Sequence, residues 1–321
     1  MRLMKASKAL QGLQTHWKRI VLIAVLLAAI ALCFVLLLRS QNQKNAAATP
    51  APTDSTPRAA ALDPDFAGLV ACFLDVGQGD CLFFLGPDKK TMLIDAGPVG
   101  SFAAIRTQLD AWQVERLDVV IATHLHADHI GSMSEILDHY AVGAFYMPPY
   151  DFESSNYADL LAMFEKTGLT PQTLYADANV FIPWADDCEV RVLSPFNAPY
   201  TDYNDTSFVL SVRYGDTGVL CAGDAGEIAE RFMVKAFPNH LLRADILKVS
   251  HHGSATATSE KLLSAVQPSI AVISVGGGNG YGLPDETVLE RLLSRQITIY
   301  RTDLDGSVCF ALDGTSVQVL E

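Results

Sequence analysis

The sequence predicts an α/β domain that follows a membrane-spanning helix. From residue 66 onward, short apolar runs typical of strands alternate with segments whose apolar residues recur at helical spacing. Several of these runs end directly before aspartate or histidine, and helix-covered sheets collect their ligand sites at such strand ends. One long apolar segment, residues 20–38, stands apart near the N-terminus. Together these observations indicate a helix-covered sheet attached to a membrane anchor.

The apolar segment from Ile20 to Leu38 carries no charged or strongly polar side chain. As a helix, its length would span roughly 28 Å, close to the hydrocarbon thickness of a bilayer. A cleaved signal peptide is the alternative, but its apolar part is usually shorter, about 7–15 residues. The sequence therefore favours an uncleaved transmembrane anchor at residues 20–38.

Charges on either side of this anchor predict its orientation. Five lysines and arginines precede it, whereas only Arg39 and Lys44 follow closely. By the positive-inside rule, residues 1–19 are then cytoplasmic and the rest of the chain is extracellular. Residues 39–65 are rich in Ala, Pro, Thr and Ser and predict a flexible linker. Residues 66–321 form the predicted folded domain.

The net charge of the chain after the predicted anchor limits the kinds of molecule that it is expected to bind. From Ala61 onward the chain has 15 Lys and Arg against 35 Asp and Glu, a formal charge of −20. Such a field opposes polyanions in general. A nucleic-acid substrate would therefore need a local basic path or metal ions to offset the repulsion.

The first part of the domain, up to residue 140, reads as strands and helices in turn. Phe102, Ile105, Leu109 and Trp112 lie on one helical face, and a glycine-bearing turn separates the first two apolar runs. The predicted strands are Leu69–Leu74, Cys81–Leu85, Thr91–Ile94 and Leu117–Ala122, and the predicted helices are Ser101–Trp112 and Gly131–His139.

The same alternation resumes after residue 207. The sequence Gly-Asp-Thr-Gly at residues 215–218 predicts a hairpin between the first two strands of this part. The predicted strands are Phe208–Arg213, Val219–Ala222, Ile246–Val249, Ile270–Val275, Ile297–Arg301, Val308–Leu312 and Val317–Leu320. The predicted helices are Ile228–Phe237, Glu260–Val266 and Glu286–Arg295.

Cysteine usage does not indicate a disulfide framework. One of the six cysteines, Cys33, lies in the predicted anchor, which leaves an odd number outside it. Most of these are predicted to be small buried side chains, because they sit in apolar runs. A bridge between Cys72 and Cys81 stays open as an alternative.

The segment Thr123–His129 carries the strongest chemical signal. It places three histidines and Asp128 directly after a strand, although the whole chain has only eight histidines. His124 and His126 can point two nitrogens at one ion, and Asp128 and His129 can point at a second. Imidazole and carboxylate together suit Zn, Mn or Fe.

Residues that follow other strands complete a predicted two-metal site. Asp224 is placed to bridge the ions, since Gly223 before it permits close approach of the backbone. One histidine of the pair His251 and His252 would complete the second ion. Asp95 is predicted to hydrogen-bond a ligand histidine and fix its tautomer.

Five further polar residues have two readings each. Asp75, Gln78 and Asp80, in the turn after the first strand, line the site, with Asp75 expected behind the ligands, or simply form a tight turn. Lys248 neutralises a phosphate or is a solvated strand lysine. Asn204 binds metal-bound water or a phosphate oxygen, or it favours a turn for local reasons.

At this point the residues resemble a known family. Leu-Ile-Asp95-Ala-Gly, His124-x-His126-x-Asp128-His129, Gly-Asp224 and a late histidine are similar to the metallo-β-lactamase fold. More narrowly, the chain resembles the C-terminal hydrolase domain of the competence protein ComEC/Rec2. That match rests on Phe73-Leu-Asp75-Val-Gly-Gln-Gly-Asp80, Asn204-Asp-Thr-Ser207, Leu-Lys248-Val-Ser-His251-His252-Gly-Ser254 and Asn279-Gly-Tyr281-Gly282. It covers residues 68–321.

The resemblance implies an αββα sandwich, with two stacked sheets and helices outside, and two divalent ions, Zn or Mn. It also implies that His252 is the ligand of its pair and that His251 touches the substrate. Two departures matter. The wider fold usually has another first-ion histidine, where this chain has Asn204 and Ser207, so the first ion is held by fewer ligands. Leu283 stands where relatives often have histidine.

These observations predict a membrane-anchored extracellular hydrolase, a phosphodiesterase or nuclease in which a metal-bound hydroxide attacks phosphorus. Catalytic roles are expected for Asp128, which would orient the nucleophile, and for His251, Asn204 and Lys248. The resemblance makes DNA the first expected partner besides the membrane. The alternatives are a hydrolase of small esters, lactones or phosphocholine-like surface groups, and a surface protein that binds DNA without cutting it.

Overall fold

The computed structural model describes residues 66–320. The predicted anchor at 20–38, the segment 1–19 before it and the linker 39–65 lie outside the described residues. Within the described part of the chain, no helix combines the length and the apolar character that a membrane crossing requires.

Residues 66–320 alternate between strands and helices, as the apolar pattern predicts. The strands are β1 (Leu69–Phe73), β2 (Leu82–Leu85), β3 (Thr91–Ile94), β4 (Arg116–Ile121), β5 (Ala141–Met147), β6 (Gln172–Thr173), β7 (Cys188–Ser194), β8 (Val209–Tyr214), β9 (Thr217–Cys221), β10 (Ile246–Lys248), β11 (Ile270–Ile273), β12 (Thr298–Arg301), β13 (Val308–Leu312) and β14 (Val317–Leu320). The helices are α1 (Phe102–Ala111), α2 (Ala127–Ile130), α3 (Met133–His139), α4 (Ser155–Thr167), α5 (Glu227–Ala236), α6 (Asn239–Leu242), α7 (Glu260–Val266), α8 (Glu286–Ser294) and α9 (Thr302–Asp305). Two short 3₁₀ turns lie at Tyr203–Thr206 and Ser250–Gly253.

The strands form two sheets. The first has the order β14-β13-β1-β2-β3-β4-β5-β6, and the second has the order β12-β11-β10-β9-β8-β7. Each sheet joins an antiparallel part to a parallel part, which begins at β3 in the first sheet and at β9 in the second. The predicted hairpin is confirmed, since β8 and β9 pair antiparallel around the turn at Gly215-Asp216.

Three apolar layers show how the sheets and helices stack. Along β1, Val70 and Cys72 face α1, α3 and α4, whereas Leu69, Ala71 and Phe73 face the second sheet. This alternation is what a strand covered on both faces requires. The opposite face of the second sheet packs on α5, α7 and α8. The architecture is therefore the αββα sandwich that the family resemblance implied.

The region between residues 140 and 207 supplies elements for which the sequence pattern gave no assignment. It forms β5, α4, the two-residue β6 and β7. The helix predicted at Gly131–His139 is shorter, because α2 and α3 are separate and α3 begins at Met133. These additions extend both sheets without changing the fold class.

The disulfide differs from the pairing considered above. Cys72 on β1 bonds Cys309 on β13, whose Cα atoms are cross-strand partners 4.0 Å apart. Cys81 is a free, buried thiol. The sequence did not indicate this pairing, because the two bonded cysteines are separated by 237 positions and meet only when β13 joins the sheet beside β1.

Candidate metal centre

Four strand ends from two sheets meet at one edge of the sandwich. Asp95 follows β3 and His124 follows β4, which are parallel neighbours in the first sheet. Asp224 follows β9 and His252 follows β10, parallel neighbours in the second. The main chain ties the two sheets together here, since the Phe208 N–H donates to the Thr123 carbonyl at 2.8 Å.

The turn that carries Asp128 and His129 is shaped by its neighbours. Helix α2 begins directly after His126, so Asp128 lies in its first turn. The glycine turn after β1 packs against it, and the Asp80 N–H donates to the Asp128 carbonyl at 3.2 Å. A Cβ on Gly79 would lie 2.3 Å from that carbonyl oxygen, which requires glycine at this position.

Asp128, His129, Asp224 and His252 form the most compact group of candidate ligands. One ligand atom from each lies within 4.8 Å of all the others. The Nε2 atoms of His129 and His252 lie 3.3 and 3.6 Å from Asp224 Oδ2. The second of these nitrogens lies 3.3 Å from Asp128 Oδ2.

The donor atoms of this group fit a divalent cation. The Nε2 atoms of His129 and His252 and the Oδ1 atom of Asp224 are buried and have no hydrogen-bond partner. Unpaired buried polar atoms are costly, so three of them within one small group of side chains need a further partner. Two imidazoles and two carboxylates are a ligand set suited to Zn, Mn or Fe. We call this group the second-ion ligands, in line with the predicted two-ion site.

His124 and His126 form a second, less compact group of candidate ligands. Nε2 of His124 lies 3.0 Å from Nδ1 of His126 and 3.9 Å from Asp224 Oδ2. Among residues 66–320, the groups of three or more ligand atoms within 4.8 Å of one another do not include either histidine. This looser geometry agrees with the expectation that the first ion has fewer ligands.

A layer of hydrogen bonds behind the ligands sets their orientation. Asp95 Oδ2 lies 2.8 Å from His129 Nδ1, the kind of contact that the sequence predicts for this carboxylate. Asp95 also accepts hydrogen bonds from the Thr123 N–H and hydroxyl, both at 2.7 Å. Nδ1 of His252 lies 2.9 Å from the Ser274 carbonyl. Because Nδ1 donates in each case, the Nε2 lone pairs face the candidate ion.

Burial and neighbouring charges shift the pKa values of this cluster in opposite directions. Burial lowers the pKa of His124 and His126. For His252, burial acts against the charged form, but the carboxylates of Asp224, Asp128 and Asp80 outweigh it and raise the pKa to about 9. The His129 pKa is also raised, chiefly by Asp224 and Asp95 against the effect of burial. The carboxylates raise these pKa values because they stabilise a positive charge on the histidines. A bound cation would supply that positive charge in place of the protons.

The two adjacent histidines after β10 take different positions. His252 is buried and its Nε2 atom points among the second-ion ligands. The side chain of His251 is 28% exposed, with Nε2 4.0 Å from Asp224 Oδ2. This placement puts His252 with the candidate metal and His251 at the rim, where a substrate would approach.

Two other predicted site residues, Asn204 and Asp75, lie at different depths. Asn204 sits in the 3₁₀ turn whose Tyr203 ring contacts His124 and His126, and its Oδ1 is buried without a hydrogen-bond partner. Asp75 is exposed and accepts a hydrogen bond from the Gly77 N–H, so its position corrects the expectation that it lies behind the ligands.

Lys248 is neither solvated nor open to a phosphate, which corrects both readings of this residue. Its side chain is fully buried and its ammonium pairs with Asp80. Asp80 occupies the position expected of Asp75, with Oδ1 3.4 Å from His252 Nδ1. The Lys248 ammonium and the His252 imidazole beside the carboxylate outweigh burial and lower the Asp80 pKa.

Other contacts of the site had little or no signal in the sequence. Phe152 lies against His126, with ring centroids 4.9 Å apart, and also against Tyr203 at 4.5 Å. These residues come from the region 140–207, and nothing in their local pattern links them to the histidine cluster. Thr123 was visible as the last residue before His124, but its hydrogen bonds to Asp95 depend on the pairing of β3 with β4.

Comparison with known proteins gives a consistent result. A family model described as the metallo-beta-lactamase superfamily matches residues 74–277. The structure is similar to the metallo-beta-lactamase fold protein YhfI from Bacillus subtilis, with a TM-score of 0.50 and 11% identity over 75% of this chain and 98% of that chain. At this identity the likeness shows the fold alone.

Two curated relatives match the sequence itself. ComE operon protein 3 of Bacillus subtilis is 29% identical over 252 residues, which cover 73% of this chain and 32% of that protein. Recombination protein 2 of Haemophilus influenzae is 32% identical over 240 residues, which cover 73% of this chain and 28% of that protein. The predicted resemblance to ComEC/Rec2 is thereby confirmed, although the chain spans only about a third of the length of these relatives.

Proposed function

Since the chain belongs to the metallo-beta-lactamase superfamily, we propose that it is a divalent-metal-dependent hydrolase of phosphodiesters. The observation that carries this proposal is the convergence of unpaired, buried Nε2 and carboxylate atoms from His129, His252 and Asp224. A purely structural cluster would pair these atoms with one another or with the backbone.

Two sets of residues would hold the ions. Asp128, His129 and His252 would hold the second ion, and His124 and His126 the first, with Asp224 shared between them. When bound, a pair of divalent ions supplies charge stabilisation for attacking and leaving oxygens and lowers the pKa of water. Zn and Mn both suit this ligand set.

The protein's own side chains would position the reacting groups. Asp128, whose side chain is 36% exposed, keeps one carboxylate face toward the rim, where it would orient an attacking water. His251 lies at the same rim and would contact a phosphate oxygen or the leaving group. The unpaired Oδ1 of Asn204 would accept a hydrogen bond from water on the side of His124 and His126.

Nucleic acid is the first substrate class to test, because one of the relatives named above is a recombination protein. The charge of −20 from Ala61 onward opposes broad binding of duplex DNA. We therefore expect cleavage of short or single-stranded substrates, in which few phosphates meet the acidic surface.

A second candidate is hydrolysis of small esters, lactones or phosphocholine-like surface groups. The observation in its favour is the acidic rim beside His126. Asp151, Glu153 and Asp202 are exposed there, and the charge of Asp202 acts on the His126 imidazole. Such a rim favours a neutral or cationic leaving group over a polyanion.

We also propose that the domain is anchored to the membrane and works outside the cytoplasm. The apolar segment at residues 20–38 and the positive charge before it support the anchor and its orientation. The Cys72–Cys309 disulfide supports the location, because such bonds persist in oxidising compartments and are rare in the cytosol.

The function is tested with the purified protein, Mn or Zn, and three substrate types: single-stranded DNA, duplex DNA, and chromogenic phosphodiesters and carboxylic esters. Wild type should cleave a phosphodiester, and Asp224→Asn and His126→Ala should lose at least about 100-fold in rate, since each removes a candidate ligand. His240→Ala, an exposed histidine on α6, is the matched control and should keep full activity.

Two results would redirect the proposal. Cleavage of carboxylic esters without any phosphodiester cleavage would favour the small-ester alternative. No cleavage with any metal, with DNA retained equally by wild type and Asp224→Asn, would favour a surface protein that binds DNA without cutting it.

A further inference from the structure

We propose that Lys248 and Asp80 form a buried ion pair whose role is to hold the second-ion ligands from both sheets in place. This inference rests on the proposed metal centre but not on any particular substrate. It assigns both residues a positioning role beneath the site, in place of direct contact with substrate.

Lys248 lies in the middle of the second sheet. It is the last residue of β10, between β9 and β11, where Cys221 and Val272 are its strand partners. Its side chain is fully buried, and among residues 66–320 its ammonium has two polar partners, the Asp80 carboxylate and the Gly223 carbonyl at 3.4 Å. Gly223 directly precedes Asp224, so Lys248 contacts the backbone that carries the Asp224 carboxylate.

Asp80 reaches the same ligands from the first sheet. Its Oδ1 lies 3.4 Å from His252 Nδ1, and its Oδ2 lies 4.0 Å from His129 Nδ1. Its main chain donates to the Asp128 carbonyl at 3.2 Å and accepts from the Gly97 N–H at 2.8 Å. The pair therefore contacts the segment of every one of the four second-ion ligands.

Two apolar side chains could fill the same space without the desolvation cost of burying charges. Burying two charges carries a desolvation cost that their attraction often only balances, and well-packed apolar replacements are often as stable. The layer between the sheets is otherwise built from apolar side chains such as Phe208, Val219 and Ile246. The contacts that an apolar pair would lack are those to His252, His129 and Gly223, which all belong to the candidate metal site.

The experiment compares metal binding and folding in five variants of the 321-residue chain, the four described next and Lys248→Arg. Lys248→Met and Asp80→Asn each remove one charge, and the double variant Lys248→Met/Asp80→Asn removes both without leaving an unpaired buried ion. Arg191→Met is the matched control, because Arg191 is a buried cation on β7 of the same sheet and pairs with Glu189, away from the ligands. Zn and Mn are titrated by competition with a chromophoric chelator, bound metal is counted by mass spectrometry, and the melting temperature is taken without metal.

We expect the double variant to melt within a few degrees of wild type in the absence of metal. Its affinity for one of the two metal equivalents should fall by 10–100-fold, the usual effect of removing a residue that orients a ligand. The affinity for the other equivalent and both affinities of Arg191→Met should stay as in wild type. Lys248→Arg, which keeps the charge, should restore part of the lost affinity, and it also serves as the test if the other Lys248 variants do not fold.

The proposal is overturned if the double variant folds and binds both equivalents as wild type does, or if Lys248→Arg weakens both equivalents alike. It is also overturned if wild type binds no metal at the second-ion ligands. A protein that binds both equivalents but cleaves no phosphodiester would sink the proposed function and leave this inference standing, because metal affinity is measured without substrate.

Discussion

At the scale of single residues, the two adjacent histidines after β10 show how one turn separates two roles. Both have positive φ, 49° for His251 and 52° for His252, so the chain turns sharply between the strand end and Gly253. The turn buries the His252 ring against the Ser274 carbonyl and leaves the His251 ring at the rim of the site. The difference in burial predicts different effects of removing each ring.

Replacing His252 with alanine should lower the affinity for one metal equivalent by at least about 100-fold, because a ligand nitrogen is lost. Replacing His251 with alanine should leave both metal affinities unchanged and lower kcat by roughly 10–100-fold, since His251 is placed to touch substrate or leaving group. Metal counting and steady-state kinetics on the two purified variants check this. The reverse pattern, metal loss in His251→Ala alone, would exchange the two assignments.

The sequence identified most of these residues because their types are rare in the chain and they follow strands. It misjudged Lys248 and Asp75, because the environment of each depends on a segment far away in the chain. Lys248 is neutralised by Asp80 from the other sheet, and Asp75 is exposed, with its main-chain N–H donating to Ser307 just before β13 of its own sheet. Periodicity within one strand records which face is buried, but it holds no information on such distant partners.

At the scale of elements, the glycine turn after β1 acts as a template for the turn at Asp128. Gly79 has φ +155°, and a Cβ there would meet the Asp128 carbonyl. Gly77, in the same turn, also has positive φ, but a Cβ there would meet nothing within 4 Å. Substitutions at both glycines would cause backbone strain, but only a substitution at Gly79 would also displace the turn at Asp128. Comparing the two therefore distinguishes these effects.

Gly79→Ala should lower the free energy of unfolding by about 1–3 kcal/mol and also weaken metal binding, because the Asp128 turn must move away from the new methyl group. Gly77→Ala should bring the strain but leave metal affinity as in wild type. Urea unfolding and metal titration of both variants test this. Equal metal affinities in the two variants would show that the turn at Asp128 does not depend on Gly79.

Glu230 on α5 supports the loop that follows the two histidines. Its carboxylate accepts hydrogen bonds from the Thr258 and Ser259 N–H groups at the start of α7, and its side chain is 1% exposed. Burial is the largest influence and raises its pKa to about 7 despite these hydrogen bonds. The group therefore prefers to be protonated in the folded state.

Because the folded-state pKa lies above the unfolded value, the contribution of Glu230 to stability is complete below about pH 4.5 and is lost as the pH rises through 7. Relative to Glu230→Gln, which cannot titrate, wild type should lose up to about 3 kcal/mol of stability across this window. Urea unfolding at pH 5, 6, 7 and 8 measures the difference. Glu286→Gln, an exposed glutamate on α8, is the control, and a wild-type profile parallel to that of Glu230→Gln would contradict the argument.

Two elements between residues 140 and 207 differ in how much local signal they carry. The strand β5 reads Ala-Val-Gly-Ala-Phe-Tyr-Met, and its first four residues carry little β character because glycine and alanine are poor strand formers. It forms because β4 offers a parallel partner along most of its length. Helix α4 is amphipathic, with Tyr157, Leu160 and Phe164 buried, so the spacing of its apolar residues is enough to predict a helix.

At the scale of the whole molecule, the sandwich brings together residues that are more than 120 positions apart in the chain. The first sheet supplies the ligands that follow β4, the second sheet supplies those that follow β9 and β10, and the apolar layer between the sheets sets the distance between them. The metal centre therefore depends on the packing of the sheets, and long-range ties between strands also preserve it. One such tie is covalent.

The Cys72–Cys309 disulfide joins the first and the second-last strand of the first sheet across 237 positions. Cross-linking distant positions restricts the unfolded chain, so removing the bond should lower the free energy of unfolding by about 2–5 kcal/mol. The variant Cys72→Ala/Cys309→Ala should show this loss in urea, and wild type unfolded in the presence of reductant should approach it. Cys188→Ser, a free and partly exposed thiol, should not.

Both sulfurs are buried, so reductant should reach the bond only through unfolding, and native wild type should keep it during short exposure. Peptide mapping without reduction should recover the Cys72 and Cys309 peptides linked. The variant itself should be insensitive to reductant, which separates loss of the disulfide from loss of packing. Equal sensitivity of wild type and variant to reductant, or recovery of both peptides unlinked, would remove the bond from the fold and with it the argument for an oxidising compartment.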